Sequence, residues 1–172
     1  MKKMLAHLIC VGILATAGAA TSSRAQAART LPQPTERKNL YPEDVDAKAE
    51  IAEALETAKK THRRVLLIFG GNWCYDCHVL DAAFHSKEIA PTLNRNYVVV
   101  HVNIGEYDKN LDLADKYEIP LKKGVPAAAV LKGDGTLVVS QKNQEFEKAR
   151  SMTTDAVLAF LEKWKPIAKS GS

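Results

Sequence analysis

Cysteine is scarce in this chain: three among 172 residues, at positions 10, 74 and 77, too few for a disulfide-stapled scaffold. No internal repeat or low-complexity block is present, which excludes solenoid, collagen-like and disordered-tract architectures. Aromatic residues make up only 6% of the chain and charge of neither sign dominates, the formal net charge being +4. Nothing therefore argues for a nucleic acid or an anionic membrane as partner. A long apolar run occurs once, from about Met4 to Ala20. At this length the chain can bury one proper core but not two comfortable ones.

The apolar run belongs to an export signal. Lys2 and Lys3 precede it, and Ala25-Gln26-Ala27 places small residues at the −3 and −1 cleavage positions, so residues 1–27 are expected to be removed after Ala27. A membrane anchor is the rival reading. The run is short, carries glycines and ends at a small-residue site, all of which favour cleavage. Cys10 lies within the run rather than at the end of a lipobox and would be lost with it. Cleavage removes three bases, Lys2, Lys3 and Arg24, and no acid, which takes the net charge of +4 to near +1. The mature protein then retains only Cys74 and Cys77. It is expected to be periplasmic or secreted, monomeric, and free of the membrane. The terminal Ala168-Lys169-Ser170-Gly171-Ser172 is no ER-retention signal.

Residues 28–43 are polar and contain Pro32, Pro34 and Pro42 without apolar periodicity, so they read as a flexible leader. The domain is expected over 44–168. Asp44 to His62 has Ile51, Ala52, Leu55 and Ala58 on one face and bases at its end, which predicts a helix. Val65 to Phe69 is continuously apolar, as in a strand covered on both faces. A helix follows through Val79, Leu80, Ala83 and Phe84, breaks near His85-Ser86 and restarts with Ser86 as cap toward Leu93. Tyr97 to Ile104 is a second strand, parallel to the first through a right-handed crossover. A short helix spans Leu111 to Tyr117. Lys132-Gly133-Asp134-Gly135 predicts a hairpin between Pro126–Leu131 and Thr136–Ser140. An amphipathic helix, Thr154 to Lys165, closes the chain, burying Val157, Leu158, Leu161 and Trp164.

The chemistry concentrates in Gly71-Asn72-Trp73-Cys74-Tyr75-Asp76-Cys77, directly after the first strand. Residues i and i+3 share a helix face, so the two cysteines can close a low-strain disulfide. The positive end of the helix favours thiolate at the first of them.

The order of strand, Trp-Cys-x-x-Cys helix, strand, helix, Val-Pro strand, Gly-turn strand and helix resembles the thioredoxin superfamily over roughly Val65 to Lys165. It is similar to exported thioredoxin-like proteins and to the C-terminal domain of bacterial thiol:disulfide interchange proteins. The landmarks are Trp73-Cys74-x-x-Cys77, Asn103-Ile104, Gly124-Val125-Pro126 and the Gly-Asp-Gly turn. The resemblance implies an α/β thioredoxin fold, with a central mixed sheet (a parallel βαβ unit plus an antiparallel hairpin) flanked by helices. It implies thiol–disulfide oxidoreductase activity without a cofactor, exchanging with protein thiols or disulfides and with a redox donor protein. Cys74 would be the exposed nucleophile and Cys77 the buried resolving thiol. Trp73 would wall the site, Tyr75 would lie at its mouth, and Val125 before a cis Pro126 would pair with an extended substrate.

The chain also departs from that pattern. Many relatives carry a buried acid where this chain has Ile68, and His101 stands in place of the accompanying lysine, so His101 is a candidate substitute base. Asp76 beside the pair disfavours the thiolate, whereas a protonated His78 would favour it. The balance points to a reducing rather than oxidising protein. Leu121-Lys122-Lys123 lengthens the loop before the proline and reads as solvated. Cys74-Tyr75-Asp76-Cys77-His78 is also letter for letter a CxxCH haem-attachment motif, but small c-type cytochromes are helical and do not need these strands. A third reading has Cys74 and Cys77 joining His78, His85 or His101 to hold or deliver Cu(I) or Zn, and a fourth takes the fold as a scaffold with an idle disulfide.

Overall fold

The computed structural model describes residues 29–142 and 145–167. The signal-peptide reading of residues 1–27, Cys10 included, and the last expected domain residue, Ala168, lie outside the described residues.

Helix α1 spans Ala47–Thr61. It begins three residues later than the sequence suggests because Asp46 is its cap, accepting hydrogen bonds from the Lys48 and Ala49 amides, and so cannot be inside it. Strand β1 (Arg64–Gly70) pairs in parallel with β2 (Tyr97–Asn103) through the crossover helices α2 (Tyr75–Phe84) and α3 (Ala90–Asn96). The break between α2 and α3 falls where expected, and the Ser86 hydroxyl accepts from the Ile89 amide at 3.3 Å. After α4 (Leu111–Lys116) come β3 (Ala127–Leu131), β4 (Leu137–Ser140) and α5 (Thr154–Trp164). Both hairpin strands are antiparallel, giving a mixed sheet of order β2-β1-β3-β4. In the turn between them Asp134 accepts from the Thr136 amide at 2.9 Å.

Alternation along β1 explains why it is apolar throughout. Val65, Leu67 and Phe69 enter a core with α1 and α4, while Leu66 and Ile68 enter a second core with α2, α3 and α5. Each face of the strand is thus covered, and every side chain from Val65 to Phe69 is buried. In α5, Val157 and Leu161 are buried as expected, but Leu158 and Trp164 are only partly so.

The stretch read as a flexible leader is docked on the domain. Thr30 forms an antiparallel bridge with Thr153, the Thr154 amide donates to the Arg29 carbonyl, and Leu31 and Tyr41 are completely buried, Leu31 in one core and Tyr41 in the other. An extended strap that buries isolated residues has no apolar periodicity, so it leaves no pattern to read.

Candidate active site

β1 ends at Gly70, and Cys74 caps α2 in an extended conformation, with φ −77° and ψ 99° belonging to the corresponding cap of α1 and φ −77°, ψ 107° to Cys74. Cys74 and Cys77 are joined by a disulfide with Cα atoms 5.3 Å apart. The Cys77 amide, shared with the Cys74 carbonyl at 3.2 Å, donates to Cys74 Sγ at 3.2 Å, so an N–H of the first helical turn points at the sulfur that would become the nucleophilic thiolate. Cys74 Sγ lies 3.5 Å from the Val125 carbonyl oxygen, and the Val125–Pro126 peptide is cis. The two motifs, about fifty residues apart in sequence, therefore meet at one sulfur.

Trp73 keeps 40% of its surface exposed. Its indole N–H donates to the Gly105 carbonyl at 2.8 Å, and its ring lies 5.5 Å from that of Tyr107, also exposed. The Tyr75 hydroxyl donates to Gln33 of the docked leader at 2.9 Å.

Asp76 is not a bare charge beside the pair. Its carboxylate is buried and takes the Arg150 side chain in a fork, Nε at 3.1 and 3.0 Å and Nη2 at 2.5 Å, with the Arg150 amide at 2.8 Å. A paired, fully bonded carboxylate exerts far less field on its neighbours than a bare one. The Arg150 guanidinium also lies 5.1 Å from the Tyr75 ring and is held above its ordinary pKa by the hydrogen bond and charge of Asp76. The His78 ring is buried and its Nε2 meets the Asn72 carbonyl at 2.9 Å, which occupies the atom a haem iron would need.

His101 sits on β2 opposite Ile68. Burial lowers its pKa, offset by the charge of Asp81 and reinforced by His85. Its ring stands edge-on to that of Tyr41, 5.2 Å between centroids. Tyr41 lies beside Cys77 across Gly70: a Cβ at Gly70 would lie 2.6 Å from both Cys77 Sγ and the Tyr41 hydroxyl. Glycine at 70 is what permits this approach. Tyr41 is held by its backbone, its amide donating to Asn72 Oδ1 at 3.0 Å while its carbonyl accepts from Asn72 Nδ2 at 2.9 Å and Asn103 Nδ2 at 3.1 Å.

Tyr41, Asn72 and Arg150 had not been singled out. Asn72 lay within the motif and could have been asked for a role, whereas Tyr41 and Arg150 are placed by tertiary packing and carry no local signal. Among the described residues no group of three or more His, Cys, Asp and Glu side chains is placed to hold a metal ion, and no helix is long and apolar enough to cross a membrane.

Comparison with known proteins agrees with this geometry. A family model described as thioredoxin-like matches residues 46–133. A disulphide isomerase from Xylella fastidiosa Temecula1 is 32% identical, with 74% of this chain and 98% of that chain covered and a TM-score of 0.69. The oxidised C-terminal domain of DsbD from Neisseria meningitidis is 18% identical over 69% of this chain and 96% of that one, with a TM-score of 0.52, a likeness of fold. No curated protein sequence matches. With its Cys-x-x-Cys disulfide at the start of α2 and its cis-proline loop against the first sulfur, the chain belongs to the thioredoxin-like family and is a thiol–disulfide oxidoreductase.

Proposed function

We propose that the protein is exported and exchanges disulfides with protein partners, in the reducing direction, through Cys74 and Cys77. The observation that carries this reading is the setting of Cys74: its sulfur accepts the Cys77 amide and faces the Val125 carbonyl beside cis Pro126. A thiolate there is stabilised by the helix start, and the backbone edge at Val125 offers an extended partner segment a place to pair. Cys74 thiolate attacks a partner disulfide, forming a mixed disulfide and releasing one partner thiolate. Cys77 thiolate then attacks Cys74 Sγ, closing the intramolecular disulfide and releasing the second partner sulfur. The partner gains two electrons, and a donor dithiol restores the pair. Trp73 and Tyr75 flank the partner, while His78 and Asp76 hold the motif in place.

The reducing direction no longer rests on Asp76, whose charge Arg150 answers. It rests on the modest support for the Cys74 thiolate. Among the described residues the hydrogen bond this sulfur accepts comes from one amide, and His78 bonds to a carbonyl instead. Fewer donors leave the disulfide form relatively favoured. Export rests on the features of residues 1–27, and the disulphide isomerase from Xylella fastidiosa Temecula1 supports a protein-disulfide substrate.

Cys77→Ser should accumulate mixed disulfides with partner proteins through Cys74, dissolved by dithiothreitol, and Cys74→Ser should accumulate none. The mature protein recovered from the periplasm should begin at Ala28. Equal trapping by the two variants would refute the assignment of nucleophile, and no trapping by either would refute exchange with proteins.

A further inference from the structure

The buried polar group beside the resolving cysteine is a phenol, and it comes from outside the expected domain. Tyr41 is fully buried, yet its hydroxyl has no hydrogen-bond partner among the described residues. Leaving a buried hydroxyl unsatisfied is costly. Three backbone hydrogen bonds from Asn72 and Asn103 nevertheless hold the residue there, and Gly70 leaves the space that it and Cys77 Sγ share. A group so held and so unpaired calls for a partner that exists in another state of the molecule. The disulfide sulfur of Cys77 is a poor acceptor, whereas the thiolate formed on reduction is a strong one.

Resting on the exchange reading above, we infer that Tyr41 is a catalytic residue of the resolving step, its hydroxyl donating the hydrogen bond that stabilises Cys77 as thiolate. In that step Cys77 thiolate attacks Cys74 Sγ, the Cys74–Cys77 bond forms and the bond to the partner breaks. The partner sulfur leaves with the electron pair and takes up the proton that Cys77 has given away. Tyr41 keeps its own proton throughout. Burial, with the charge of Asp81 added, pushes its pKa far above the ordinary phenol range, which suits a donor and disqualifies it as a base. The run Val65 to Phe69 of β1 is apolar and buried throughout and brings no polar side chain here, and His101 meets the ring of Tyr41 edge-on. The titratable groups facing the phenol are therefore Cys77 and Asp81 from α2 and His101 from β2.

The test uses the reduced mature protein and 5,5′-dithiobis(2-nitrobenzoate). Attack by Cys74 releases the first thionitrobenzoate, and attack by Cys77 on the resulting mixed disulfide releases the second. Tyr41→Phe keeps the ring and removes only the hydroxyl. The first phase should be unchanged, the second about tenfold slower near neutral pH, and the pH midpoint of the second phase about one unit higher, as expected for loss of one hydrogen bond to a charged group. An unchanged second phase beside a normal first phase overturns the role of Tyr41 and leaves exchange standing. If the unsubstituted protein shows neither phase, the exchange reading and this inference fall together. A readout needing no variant is the titration of the Cys77 Cβ resonance in the unsubstituted reduced protein. A midpoint at or below the ordinary thiol value of about 8.5 supports the donor, and one well above it, as burial alone would give, overturns it.

Discussion

In front of the cysteine pair, Trp73 and Tyr107 are exposed, and Val125 with cis Pro126 presents a backbone edge to Cys74. Behind it, Cys77 is buried with Gly70 and Tyr41 beside it, the ring of His101 stands edge-on to that of Tyr41, and Asp81 is buried one turn further along α2. The front is built by short motifs whose residues are neighbours in sequence or lie at the ends of adjacent strands. The back is built by a strap that wraps the domain and inserts one side chain. One side meets partners and the other governs which protonation state the second sulfur can take, so the two can be altered separately.

The largest effect that would separate front from back is on stability. Leu31 is 2% exposed and packs in the core with α2, α3 and α5, pinning the strap at the end opposite Tyr41. Leu31→Ala should cost about 2–5 kcal/mol, measured by urea denaturation of the mature protein. A cost near zero would mean that the strap is not part of the folded unit and would dissolve the comparison.

A smaller effect concerns pH. Burial depresses the His101 pKa in the folded protein, while the unfolded chain titrates near the ordinary value of about 6.5. Between the two values the unfolded state binds more protons, so stability rises with pH there. This contribution is fully present above about pH 6.5 and is lost as pH falls toward the folded pKa. Stability of the native sequence should therefore decline from pH 7 to 5 more steeply than that of His101→Gln. Parallel pH profiles would show that His101 is not held neutral, and would remove it from the closed side.

How much of this was readable follows the same division. The β1 run, the Cys-x-x-Cys helix, Gly124-Val125-Pro126 and the Gly-Asp-Gly turn are contiguous, and each obeys a rule local to its own segment. The mixed sheet and the meeting of Cys74 with Val125 were legible only through the resemblance that these motifs together carry. Tyr41 was not, because it sits between prolines in a segment whose burial is aperiodic. The packing of Leu31 and Tyr41 against the domain left no signal in the leader for the same reason. Nor was the Asp76–Arg150 pair legible, since 74 residues separate its members and nothing in Ala149-Arg150-Ser151 announces a partner. That pair altered an electrostatic argument made from Asp76 alone. A charge read from sequence has a sign but no counter-ion.

The most direct test of the account is the redox equilibrium of the mature protein against a graded series of reduced and oxidised glutathione, following the Cys74–Cys77 disulfide. The account predicts a reversible two-electron transition at about −270 to −230 mV, in the range of reductants. A potential near about −120 mV would contradict the reducing direction, and the absence of any reversible disulfide would contradict thiol–disulfide exchange itself.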